Sequence, residues 1–139
     1  MIIQEEKMNL LFHELLQKTR EFTNGVNIVL KEHGLFSSQW TVLFTIEKHG
    51  QMTLTSIWKY LNVEAPTITR TINRLEELGL LQHEPGFDRR SKLVSLTDAG
   101  REKYQEVIET VSLYEENFAR GLTEEEQLQF RQLLEKLKG

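Results

Sequence analysis

Cysteine is absent from the 139 residues, which excludes disulfides, thiolate metal sites and thiol-based redox sensing by this chain. Long apolar runs are absent too: no window approaches the ~20 residues a membrane span needs. Met1-Ile2-Ile3-Gln4-Glu5-Glu6-Lys7 has neither a basic leader region nor an apolar one. A soluble, cytoplasmic protein without membrane association is expected. The four histidines, His13, His33, His49 and His83, form no metal spacing; His13-Glu14-Leu15-Leu16-Gln17 opens like a zinc-protease helix but has glutamine where the second histidine belongs. With no nucleophile elbow, phosphate loop or motif-placed carboxylate pair, neither an enzyme nor a cofactor is expected.

An excess of positive charge is also missing. The net charge is −4, which by itself disfavours a polyanionic partner. The distribution modifies that conclusion. Residues 1–52 carry five basic and six acidic side chains, residues 53–96 six and five, and residues 97–139 six and ten. The acid is concentrated in the last third, and a local basic footprint survives in the middle.

What is present is helical periodicity. Met8, Phe12, Leu15, Thr19, Phe22, Val26 and Val29 alternate steps of four and three between about residues 5 and 33, a heptad seam with one polar member. Such a helix is ~40 Å long at 1.5 Å per residue, more than a small core requires. A similar seam, Tyr104, Val107, Val111, Tyr114 and Phe118, follows a cap at Thr97, and Gly121 separates it from a last helix. Thr123-Glu124-Glu125-Glu126 is a capping box for that helix, whose apolar face is Phe130, Leu133, Leu134 and Leu137. Ordinary core packing is the alternative for these seams, but helices at both chain ends that outrun one core point to a homodimer. There is no repeat, low-complexity segment or linker, so residues 1–139 read as one domain able to bury roughly two-thirds of its unfolded surface.

Between the seams lies a helix from Ser37 or Ser38, either of which can cap it, to Lys48 or His49, with Trp40, Leu43, Phe44 and Ile46 inward. Gly50-Gln51-Met52 ends it. Thr53 starts a short helix carrying Leu54, Ile57, Trp58 and Leu61; Asn62-Val63-Glu64 turns the chain; and Pro66 suits the first turn of the next helix. In that helix Ile68, Ile72, Leu75 and Leu78 form the inward stripe, and Gly79 ends it. Pro66, Arg70, Asn73 and Glu77 face outward, flanked by Thr67, Thr69, Thr71 and Arg74. Leu80–Glu84 and Leu93–Leu96 are short strands around Pro85-Gly86-Phe87-Asp88-Arg89-Arg90-Ser91-Lys92, a basic hairpin tip.

Helix, tight turn, helix and hairpin together propose a DNA reader. The second helix of such a unit enters the major groove. Pro66, Thr67, Thr69, Arg70, Thr71, Asn73 and Arg74 are the candidate contacts: threonine can bond phosphate or touch a thymine methyl, and arginine can reach guanine O6 and N7. Glu76 and Glu77 repel phosphate, so contact should end near Arg74. Asp88, Arg89, Arg90 and Lys92 suit the adjacent minor groove, whose narrow A·T segments attract arginine, with Asp88 able to hold one guanidinium by a forked bond. A solvated charged face is the bland reading of either element alone; the combination favours DNA. A module that binds protein without DNA is the alternative that the acidic balance permits.

Residues 53–101 resemble the winged helix-turn-helix of the MarR (multiple antibiotic resistance regulator) family. The resemblance rests on Leu61-Asn62-Val63, Thr69-Arg70, Arg74-Leu75-Glu76-Glu77-Leu78-Gly79-Leu80, Asp88-Arg89-Arg90 and Leu96-Thr97-Asp98-Ala99-Gly100. It implies a mainly α fold with a small β-hairpin wing, in which residues 1–34 and 101–139 form dimerisation helices and residues 35–100 the DNA-binding lobe. It further implies a transcriptional regulator, expected to be a repressor, that binds a pseudo-palindromic operator as a homodimer and is released by a small amphipathic or phenolic effector. Carried over by position, Thr67, Thr69, Arg70 and Arg74 contact the major groove or phosphates, and Arg90 enters the minor groove oriented by Asp88. Phe12, Phe36, Trp40 and Phe44 become candidates for an effector site, with core packing the better expectation for all four. Trp58, where the family has a small residue, and Glu64, where it has a small polar cap, depart from the pattern; the second weakens the cap and puts an acid near phosphate.

Overall fold

The computed structural model describes residues 2–86 and 91–139, with side chains from residue 9 onward. Helix α1 (Ile2–Lys31) leads to α2 (Ser37–His49), a short strand β1 (Met52–Thr53), α3 (Leu54–Leu61) and α4 (Ala65–Glu77). Strands β2 (Leu81–Glu84) and β3 (Leu93–Leu96) precede α5 (Asp98–Phe118) and α6 (Glu124–Lys136). The sheet is antiparallel in the order β1-β3-β2, with Met52 opposite Val94 and Leu81 opposite Leu96. Strand β1 is an addition to the expected hairpin: two residues before the α3 cap are too short to carry a period-2 signal.

One core gathers Leu43 and Ile46 from α2, Ile57 from α3, Ile68, Ile72 and Leu75 from α4, Val94 and Leu96 from the sheet, and Tyr104 and Val107 from α5. Among its described side chains, α1 joins it through the C-terminal part, where Val26 and Leu30 are buried. There Phe22 packs on Tyr114 and Phe118 at ring-centroid distances of 5.5 and 5.2 Å, and the Tyr114 hydroxyl donates to the Phe22 carbonyl at 3.0 Å. Gly25 makes this approach possible, because a Cβ there would overlap the Tyr114 ring.

Three local expectations are corrected. Neither serine caps α2: Phe36 is the cap residue, its amide donating to Gln39 Oε1 at 3.0 Å, while Asn27 Oδ1 accepts from the Ser37 amide at 2.7 Å. A partner ten residues upstream and a reciprocal Gln39 replace the local hydroxyl. Leu78 lies beyond the last turn of α4 and is 42% exposed, not inward. Phe44 is 39% exposed, because Val42 and Thr45 take the inward positions beside Leu43 and Ile46. The predicted caps at Thr53, Thr97 and Thr123 all form, the last as a full capping box with Glu126. Among the described residues, no helix is long and apolar enough to cross a membrane.

Candidate nucleic-acid interface

The outward face of α4 is set by what precedes it and what lies beneath it. Thr53 Oγ1 accepts from the Ser56 amide at 3.0 Å and starts α3, and Asn62, in the left-handed region at φ 59°, turns the chain after Leu61. Asparagine tolerates that conformation better than most residues with a Cβ. The Val63 amide then closes on the Trp58 carbonyl at 3.1 Å. Trp58, the bulky departure in α3, is accommodated at the margin of the core, with the Lys59 ammonium 5.8 Å from its ring. Glu64 is the α4 cap residue, and its side chain makes no capping bond; its carbonyl alone receives Thr67 and Ile68 at 3.1 and 3.2 Å.

Ile68, Ile72 and Leu75 are buried, which leaves Pro66, Thr67, Arg70, Asn73 and Arg74 exposed and Thr69 and Thr71 half-buried on the flanks. The hydroxyls differ in what they can offer. Thr69 Oγ1 donates to the Ala65 carbonyl at 2.9 Å and Thr71 Oγ1 to the Thr67 carbonyl at 3.1 Å. Phosphate oxygens only accept, so either threonine must release its own helix before donating to them. Thr67 Oγ1 instead accepts from Arg70 Nη2 at 3.4 Å, which leaves its proton available. Arg74 is drawn toward Glu77 at 3.0 Å, an exposed pair that competing phosphates can separate at little cost.

The hairpin is anchored at its base. The Thr97 hydroxyl donates to the Gly79 carbonyl at 2.6 Å and accepts from the Gly100 amide at 2.9 Å, and the Thr97 amide reaches the Leu80 carbonyl at 3.1 Å. A Cβ at Gly100 would collide with the Leu80 carbonyl oxygen. The Leu-Thr-Asp-Ala-Gly signature thus has a physical reading: Thr97 pins the chain before β2 and caps α5, and Gly100 lets the two backbones meet. Asp88, Arg89 and Arg90 lie outside the described residues. Lys92, expected to point to DNA with them, reaches back to Glu76, Nζ to Oε1 3.5 Å. Glu76 also accepts from His83 Nδ1 at 2.8 Å. Sequence spacing gave no sign of these ties.

A cavity of about 310 Å³ opens between α1, α2 and α5, lined by Phe22, Val26, Trp40, Phe44, Ile108 and Glu115 among others. Trp40 is buried and stacks on Tyr104 at 5.3 Å. Burial beside this cavity raises the Glu115 carboxyl above its ordinary pKa. Of the four aromatic candidates, Trp40 and Phe44 line the space, whereas Phe12 and Phe36 do not. Core packing describes Trp40 alone; Phe12, Phe36 and Phe44 are exposed by 47%, 67% and 39%.

A helix-turn-helix carrying an antiparallel wing defines a winged-helix regulator. The chain belongs to the MarR family, whose profile matches residues 35–92, and it is a DNA-binding transcriptional regulator, not an enzyme. It is 43% identical over 123 residues to YwoH, an uncharacterized HTH-type transcriptional regulator of Bacillus subtilis, covering 88% of this chain and 90% of that one. It is 31% identical over 109 residues to the HTH-type transcriptional repressor MdtR of the same organism, covering 78% and 70%. Among solved structures, the fold matches a mutant MarR of Escherichia coli complexed with operator DNA at a TM-score of 0.81 (23% identity, 98% and 96% covered). It also matches Staphylococcus aureus MarR in complex with salicylate and kanamycin at 0.82 (23% identity, 97% and 92% covered).

Proposed function

We propose that this regulator acts as a homodimeric repressor on a pseudo-palindromic operator, with α4 in the major groove and the hairpin tip in the adjacent minor groove. The single observation that carries the reading is the division of α4: Ile68, Ile72 and Leu75 are locked in the core while Thr67, Arg70, Asn73 and Arg74 are exposed on the opposite face. Repression is favoured by the likeness to MdtR, which carries that description. The dimer is favoured by apolar side chains left uncovered on α1 and α6, including Leu10, Leu11, Leu133 and Leu134. An amphipathic effector fits the cavity under Trp40, and occupation there would act on the joint between the end helices and the reading lobe. The Staphylococcus aureus relative was solved with an aromatic acid, salicylate; here Glu115 on the wall favours a neutral or basic aromatic compound over an anion.

Salt titration with an operator selected from random DNA tests the central claim. Log affinity should fall linearly with log salt, with a slope of about −0.9 per phosphate neutralised. Arg70→Ala and Arg90→Ala should each weaken binding by about 1–3 kcal/mol. Footprints should show two half-sites centred ~10 bp apart. A flat salt response, or one isolated half-site, rejects the proposal.

A further inference from the structure

The Glu76 carboxylate sits where α4 hands over to the wing. Its Oε1 accepts from His83 on β2 at 2.8 Å and lies 3.5 Å from the Lys92 ammonium at the foot of β3. Both Glu76 and Lys92 are only 21% exposed, against 58% and 67% for the neighbouring Arg74–Glu77 pair. An exposed pair of long side chains constrains little. A half-buried oxygen held by a hydrogen bond from His83 and an ion pair with Lys92 constrains more, since either partner would lose that contact with the carboxylate charge on moving away. Glu84 pairs with Leu93 and His83 with Val94, so both anchors lie at the tip end of the paired strands, on either side of residues 87–90. One carboxylate therefore ties both strands of the wing to the last turn of the reading helix.

We infer that Glu76 is a positioning residue for DNA binding: by bridging α4 to His83 and Lys92, it sets the angle of the wing so that helix and tip engage one duplex together. The inference rests on the proposed contact of α4 and the wing with DNA. Its consequence is opposite in sign to simple electrostatics. A negative charge beside phosphate repels it, so deleting the charge should tighten binding. A clamp that orients two contact elements before binding spares their ordering cost, so deleting it should weaken binding.

The test measures operator affinity against salt for the full chain and for Glu76→Gln, Glu76→Ala, Arg90→Ala and the Glu76→Ala/Arg90→Ala double variant, each checked for an unchanged melting temperature. Glu76→Ala should weaken binding about tenfold, equivalent to 1.4 kcal/mol. Its salt slope should be shallower, like that of Arg90→Ala. Glu76→Gln should fall between the unaltered chain and Glu76→Ala, because its amide oxygen still accepts from His83 but forms no ion pair with Lys92. The double variant should be no more than about twofold weaker than the weaker single, since both changes disable the same contact. Equal or tighter binding by Glu76→Ala, or losses that add with the salt slope unchanged, overturns the inference. If Arg90→Ala leaves affinity and slope untouched, the proposed wing contact itself fails and the inference falls with it. Should Glu76→Ala melt early, His83→Ala takes its place: a loss larger than that of Glu76→Gln, with a shallower salt slope, supports the clamp, and no loss overturns it.

Discussion

The two halves of α1 have the same periodicity and different fates. From Phe22 onward the helix buries Val26 and Leu30 and meets Phe118 and Tyr114 of α5. Before Phe22 it carries Leu10, Leu11, Phe12 and Leu16 about half exposed. A helix of 30 residues is about 45 Å long, and among its described side chains those that enter the core lie in its last third. α6 resembles the free half: it has no buried residue, and Phe130, Leu133 and Leu134 are open. Uncovered apolar stripes at both ends of one chain, each with helical spacing, match the surface a second copy would supply. A heptad therefore states that a face is apolar and leaves its partner to the tertiary structure.

The largest effect that would break this contrast is removal of the free half. Deleting residues 1–20 should convert a dimer to a monomer in sedimentation and lower operator affinity by about 10²–10⁴-fold, because the second half-site is then no longer engaged within one assembly. A truncated chain that still sediments as a dimer disproves the role given to these residues. Next come paired substitutions of one residue type in the two halves. Leu30→Ala should cost about 2–5 kcal/mol in denaturant unfolding. Leu10→Ala should stay within about 0.5 kcal/mol for the monomer at high dilution and should instead weaken self-association. Equal unfolding losses would erase the distinction.

Two smaller changes sharpen where the packed half begins. Gly25→Ala should destabilise the fold by about 1–3 kcal/mol, since the new methyl displaces the Tyr114 ring that now occupies its space; an unchanged unfolding midpoint would show that the α1–α5 joint yields freely. Tyr114→Phe removes only the hydroxyl that donates to the Phe22 carbonyl. The expected loss is about 0.5–1.5 kcal/mol, measurable as a shift in the urea midpoint at constant slope. No shift would mean that water replaces the bond without cost.

Much of the candidate interface was legible because its determinants are local. Thr53, Thr97 and Thr123 announce helix starts through a hydroxyl and an amide three residues on. Ile68, Ile72 and Leu75 announce the inner face of α4, and so by subtraction the outer face that holds Arg70 and Asn73. What sequence spacing missed involves residues that meet only after folding. Asn27 caps α2 from the helix before it, Phe44 sits at a cavity rim, and Glu76, read as a phosphate-repelling boundary, holds His83 and Lys92. The hydroxyls of Thr69 and Thr71 were legible as polar and outward-leaning, but their bonds to α4 carbonyls depend on rotamers that a sequence does not specify.

By itself the sequence determined the helices, the caps at Thr53, Thr97 and Thr123, the turn at Asn62 and the inner stripe of Ile68, Ile72 and Leu75, since these follow from interactions among residues within about four positions of one another. Only the tertiary structure decided which apolar faces find partners within the chain, where a cavity opens, and that one carboxylate joins α4 to the wing. Those outcomes depend on distances between residues from seven to more than ninety positions apart, which are set by the packing of whole elements against a shared core.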